Sequence, residues 1–243
     1  MQARSDSLFH FTKSLDFLKG ILQNGFQPRY SLEDTSLFGQ VDYIGYPMVC
    51  FCDIPMSRIS DHTAFYGEYG IGMTKEWGRK NNLHPLLYAA SNGALVRVAS
   101  KIFSLTDYQS DDDSKVKSIR HELLHQYFEL TPMIKPVSGK MIVGGEVVEK
   151  DFSQENEWRY VPDHINLLFK NNFDELKAEE NAKMFDRSLR FLPSDVKYIF
   201  VKADHEIPAI FDFIQTQLGA FPMNDIKVLI SRIVSLETLA RDL

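Results

Sequence analysis

Apolar residues alternate with His10 and Thr12 in Leu8-Phe9-His10-Phe11-Thr12, a period of two that predicts a strand. Behind Ser14 the spacing changes to that of a helix at Leu15, Leu18 and Leu22, and Asn24-Gly25 predicts its stop. From Gln27 to Gly45 the pattern dissolves into polar residues around Pro28 and Gly39, which predicts a long loop of the kind that often carries function. Order returns as a strand over Met48 to Cys52, ended by Asp53-Ile54-Pro55. A short helix over 56–66 and a glycine-containing strand over Tyr69 to Met73 follow.

Residues 75–130 are mostly helical in pattern, broken at Asn92-Gly93 and at the acidic run Asp111-Asp112-Asp113, and read as a helical insertion. Strand patterns resume at Met141 to Val148 and at 156–161. A polar helical stretch to about residue 190 precedes the strand Val196 to Val201, a helix through Leu218 and a last strand at Ile226 to Ile230. Strands separated by helices of uneven length predict an α+β fold. The expected organisation is one domain over residues 1–243 with the insertion at about 75–130.

Composition narrows the class. A chain of 243 residues with 44% hydrophobic content can bury a sizeable core. No run approaches the roughly 18 apolar residues of a spanning helix, and Met1 to Asp6 lead into no apolar signal segment. A soluble, cytoplasmic protein without a membrane partner is expected. The net charge of −6 argues against broad nucleic-acid binding, which draws on a basic surface. Cys50 and Cys52 alternate onto one side of a strand, where extended geometry opposes a mutual disulfide, and two thiols fall short of a zinc set. No metal is expected there.

Two segments carry candidate chemistry. In an extended His10-Phe11-Thr12 the imidazole and hydroxyl share a face, suited to hydrogen-bonding a ribose or carboxamide. In Glu155-Asn156-Glu157-Trp158-Arg159 the same period puts Glu155, Glu157 and Arg159 on one side. Two carboxylates so placed can stabilise positive charge as a glycosidic bond breaks. The plainer reading is a polar strand edge for the first segment and an Arg–Glu ladder for the second.

The blocks LFHFTKSLDFLKGILQNGFQPRYS, MVCFCDIPMSRISDH, FYGEYGIGMTKEWG, KPVSGK and ENEWRYVP, in this order over about residues 8 to 162, resemble the abortive phage infection AbiGi family of bacterial defence proteins. Proteins of that family are described as antitoxins of two-gene systems. The first block also resembles the opening of ADP-ribosyltransferases of the H-Y-E type that modify nucleic acid. That resemblance implies a split mixed sheet and NAD as substrate, with His10 and Thr12 on the nicotinamide ribose and Glu157 as the catalytic glutamate. Glu155 would orient the acceptor, Arg29 would meet the pyrophosphate, and Tyr66 or Tyr69 would stack on the nicotinamide, with Tyr30, Tyr43 and Tyr46 as alternatives. The separation of His10 from Glu157 exceeds that of the smallest transferases, which the insertion would explain.

What this implies is a toxin or effector of antiphage defence, transferring ADP-ribose to RNA, DNA or protein and restrained by a partner protein. The alternative is a non-catalytic antitoxin or interaction subunit, since fold does not fix activity. A third reading comes from His121-Glu122-Leu123-Leu124-His125, which matches the HExxH helix of zinc proteases. Val116, Ile119, Leu123 and Tyr127 form the apolar stripe of that helix with the histidines nearly opposite, and Glu146 or Glu149 would have to supply a third ligand.

Overall fold

A long strand, Tyr43–Cys52, organises the molecule, because apolar residues line both of its faces and four other strands pair along it. The computed structural model describes residues 5–39, 43–106, 114–143 and 146–241, without the side chains of Asp61 and residues 140–147. In chain order the main elements are β1 (Ser7–Thr12), α1 (Leu15–Asn24), β2 (Arg29–Asp34), β3 (Tyr43–Cys52), α2 (Ile59–Tyr66), β4 (Tyr69–Thr74) and α3 (Lys75–Lys80). The short β5 (His84–Pro85) and β6 (Leu87–Ala89) lead to the helical pair α4 (Ala94–Thr106) and α5 (Ser114–Leu130). Then come β7 (Ile134–Pro136), the hairpin β8 (Ser138–Val143) and β9 (Glu146–Asp151), β10 (Glu157–Tyr160), β11 (Leu168–Phe169) and α6 (Phe173–Lys183). The chain closes with β12 (Val196–Val201), α7 (Ile207–Gln217), α8 (Met223–Ile230), β13 (Ile233–Ser235) and α9 (Leu236–Leu239).

The main sheet runs β13-β12-β4-β1-β3-β10-β5, with β2 and β11 added on the first half of β3. It is mixed: β12 and β13 are parallel, the remaining pairs antiparallel. The α+β class is thus observed. Among the described residues no helix is long and apolar enough to cross a membrane.

Local chemistry accounts for the edges of these elements. Ser14 caps α1 by accepting from the Phe17 amide at 3.2 Å, and Thr74 caps α3 by accepting from the Trp77 amide at 3.1 Å. One face of the sheet buries Leu8, Phe51, Ile71, Ile199 and Val201 under α1, α3, α7 and α8. The other buries Phe9, Phe11, Cys52 and Phe200. Glycine at 72 lets these rings lie flat on β4, since a Cβ there would stand 2.9 Å from the Tyr198 ring and 3.0 Å from the Phe9 ring. Gly72→Val is expected to lower stability in urea melts by about 1–3 kcal/mol through overpacking.

The structure corrects four expectations. Residues 27–45 are not one loop, for Arg29–Asp34 forms β2 and pairs along the first half of β3, which begins at Tyr43. Ile226 to Ile230 is helical within α8, with Ile226 and Leu229 turned inward, and the last strand is Ile233–Ser235. The insertion narrows to α4 and α5, because Trp77 of α3 belongs to the main core and β5 extends the main sheet beside β10. In α5 only Tyr127 of the expected stripe is fully buried, while Val116 and Ile119 are exposed. Asp111, Asp112 and Asp113 lie outside the described residues.

Candidate functional site

Register decides which candidate residues can meet. Phe9, Cys52 and Glu157 stand opposite one another across β1, β3 and β10, so their side chains leave from one face. His10, one residue on from Phe9, leaves from the other. There its ring packs on Phe26 and Phe51 at centroid distances of 5.3 and 5.4 Å, and Nδ1 lies 2.8 Å from the carbonyl of Cys50. Burial holds this imidazole below its usual range, and hence neutral. Thr12 shares the His10 face, as its residue type and period predicted. The expected convergence of His10 with Glu157 does not occur, because the sheet stands between them and aromatic side chains fill the space beside His10.

Glu157 instead anchors a buried charge network. Its carboxylate accepts from Nε of Arg159 at 2.9 Å and from Nζ of Lys135 at 2.9 Å. Arg159, 1% exposed, also reaches Glu33 at 3.1 Å and the carbonyl of Pro132 at 2.6 Å. Glu155 sits at the end of a 3-10 turn rather than on the strand, and Asn156 between the two glutamates takes a left-handed φ of 45°. Even so the two carboxylates converge, since Lys135 lies 3.4 Å from Glu155. Glu155 also accepts from Lys150 and from the Tyr66 hydroxyl. Lys150 caps the ring of Phe65 at 4.3 Å, a cation–π contact that further fixes it.

Three cations, Lys135, Lys150 and Arg159, therefore face three carboxylates, Glu33, Glu155 and Glu157, and the cluster is neutral within itself. Burial alone would raise the carboxyl of Glu157, but Arg159 and Lys135 hold it at about 2. Burial opposes the charge on Lys135 too, yet Glu157 and Glu155 keep it above the ordinary lysine range. The Arg–Glu ladder weighed from sequence is present, though buried rather than solvated. Sequence reasoning missed Lys135, Lys150 and Glu33 on β7, β9 and β2; Lys135 opens the block KPVSGK, but nothing in that block points to a glutamate partner.

The remaining candidates scatter. Tyr66 joins the Glu155 side of the network, its ring tilted against that of His62 with centroids 4.4 Å apart. Tyr69 is on the His10 face and donates to Glu206 at 2.7 Å. Arg29 is exposed on β2, opposite Met48. Of the alternative tyrosines, Tyr30 donates to the carbonyl of Asn166 at 2.7 Å, Tyr46 bonds Thr131 at 2.8 Å, and Lys170 covers the ring of Tyr43 at 4.4 Å. Cys50 and Cys52 are free thiols on one face, as their spacing predicted. His121 and His125 are exposed on α5 with ring centroids 4.9 Å apart, Glu149 is exposed, and the side chain of Glu146 lies outside the described residues. Among the described residues no group of three or more histidine, cysteine or acidic side chains forms a metal site.

Acid should dismantle this arrangement in two stages. Burial lowers His62 from 6.5 to about 4, so the unfolded chain takes up its proton first, and stability present above pH 6.5 drains away as pH falls toward 4. His10, also lowered by burial, adds in the same direction. Glu157, lowered from 4.5 to about 2, then loses its contribution below pH 4.5. Melting temperatures should hold from pH 7.5 to about pH 6.5 and fall from there to pH 3. A melting temperature flat between pH 6.5 and pH 4.5 would contradict the burial of both histidines.

Fold and network together define an α+β protein whose candidate carboxylates are held in an internal, charge-balanced cluster. A family model described as "Putative abortive phage resistance protein AbiGi, antitoxin" matches residues 24–202. The abortive phage resistance protein AbiGi of Lactococcus lactis subsp. cremoris is 31% identical, with 81% of this chain and 88% of that protein covered. The chain belongs to the AbiGi family of abortive phage resistance proteins. No solved structure matches it.

Proposed function

We propose that this chain is a non-catalytic antitoxin, the restraining member of a toxin–antitoxin pair in abortive phage infection. The observation that carries this reading is the sheet lying between His10 and Glu157, with both oxygens of Glu155 and of Glu157 already engaged by internal donors. An NAD-consuming transferase needs those groups around one open cleft, and a carboxylate free to bond the ribose. The description of the matched family as an antitoxin supports the same conclusion. The transferase reading keeps only the support of residue type at His10, Thr12 and Glu157.

A restraining protein works through its surface. Val98 and Leu105, seven residues apart on α4, are 57% and 50% exposed, and Val116 and Ile119 on α5 are exposed beside basic residues. Co-expression with the toxic partner of the pair tests the proposal. The intact chain should restore growth, while Val98→Asp with Ile119→Asp should lose protection with a melting temperature within a few degrees of the parent. Growth arrest caused by the chain alone, relieved by the partner, would reverse the assignment.

A further inference from the structure

One cavity borders the charge network, with Arg159 as the shared lining residue, and lies apart from the exposed apolar side chains just described. It opens between α5 and the segment that follows β10, with a volume of about 490 Å³, well inside the range of small-molecule sites. Its floor is apolar, with Leu124, Phe128 and Ile165 among the lining. Its rim carries His84, His121, His125 and His164, four of the seven histidines of the chain, together with Asn82. These five polar side chains come from three separate parts of the sequence and are all exposed, so their convergence is not the by-product of one helix face.

Backbone conformation singles out the same place. Three non-glycine residues among those described have positive φ, and two of them, Asn82 at 56° and His164 at 52°, line this cavity. L side chains adopt that region rarely, and such conformations gather at binding sites, where the fold holds a side chain against its local preference.

We infer that this cavity binds an uncharged planar nitrogen heterocycle of about nucleoside size. Charge excludes the anionic alternatives. The cationic lining residue Arg159 is already matched by Glu157 and Glu33, whereas Glu129 and Asp163 add negative charge at the rim. A phosphorylated ligand would meet these carboxylates with no lysine or second arginine among the described lining residues to offset them. The imidazole ring nitrogens and the Asn82 carboxamide supply hydrogen-bonding groups around the rim, which suits the mixed edge of a nucleobase-like ring. Phe128 and the aliphatic floor suit its flat faces.

Calorimetry and thermal shift with adenosine, guanosine, cytidine and uridine, each beside its 5′-monophosphate, test this on the full chain. At least one nucleoside should bind saturably and raise the melting temperature, with its monophosphate at least tenfold weaker. His125→Ala, an exposed position, should weaken binding about tenfold with unchanged circular dichroism, and Leu124→Trp should abolish it by filling the floor. Should Leu124→Trp fail to fold, the His125→Ala result still decides. Absence of saturable binding by all four nucleosides, a monophosphate that binds more tightly than its nucleoside, or binding indifferent to His125→Ala would overturn the inference.

Discussion

Glu157→Gln is expected to destabilise the protein by about 3–5 kcal/mol, a large share of the 5–15 kcal/mol that holds a typical domain together. Glutamine keeps the shape but has one acceptor oxygen, so the charge is lost and an amide N–H is turned toward Arg159 or Lys135. Without the carboxylate, Arg159 at 1% exposure keeps only Glu33 as an ionic partner, and Lys135 keeps only Glu155 at 3.4 Å. A catalytic glutamate would behave in the opposite way, because active-site carboxylates are commonly replaced at little cost to stability. Adding Lys135→Met restores neutrality, so the double variant should be less unstable than the sum of the two single changes. Urea denaturation of the four proteins gives the coupling directly. Equal midpoints for Glu157→Gln and the parent would remove the network from its structural role.

Trp77→Ala should cost about 3–5 kcal/mol for a different reason, the cavity left by a large buried ring. Trp77 is 2% exposed, lies 5.4 Å from Phe26 and 5.5 Å from Phe51 by ring centroid, and donates from Nε1 to the carbonyl of Arg190 at 3.0 Å. The same two phenylalanines enclose His10, so the expected loss also measures how firmly that imidazole is packed. Trp77→Phe should recover most of the stability, missing chiefly the hydrogen bond. A Trp77→Ala protein that melts with the parent would mean that the aromatic cluster is loose and that His10 borders open space.

What the sequence made legible follows from the strength of local signals. Strands β1, β4 and β12 and helices α1 and α2 announce themselves through alternation, a serine cap and glycine stops. β2 was hidden because Tyr30 and Leu32 alternate among charged residues between Pro28 and Gly39, and what makes the segment a strand is its pairing with β3. In α8 the short run Ile226 to Ile230 suits either period, and the inward turn of Ile226 and Leu229 decides for a helix.

The site divides in the same way. That Glu155 and Glu157 converge was legible, though the left-handed Asn156 rather than a regular strand brings it about. That Glu157 and His10 lie on opposite faces follows from the register of three strands, which no single segment encodes. The partners that neutralise the glutamates arrive from β2, β7 and β9, and tertiary pairing of this kind leaves no mark on spacing.

Nicotinamide release from NAD by the purified chain tests the central claim most directly. A protein whose sheet separates His10 from Glu157 is expected to release no more nicotinamide than a protein-free control. Release well above that control, lost in Glu157→Gln and His10→Ala variants that remain folded by circular dichroism, would contradict it.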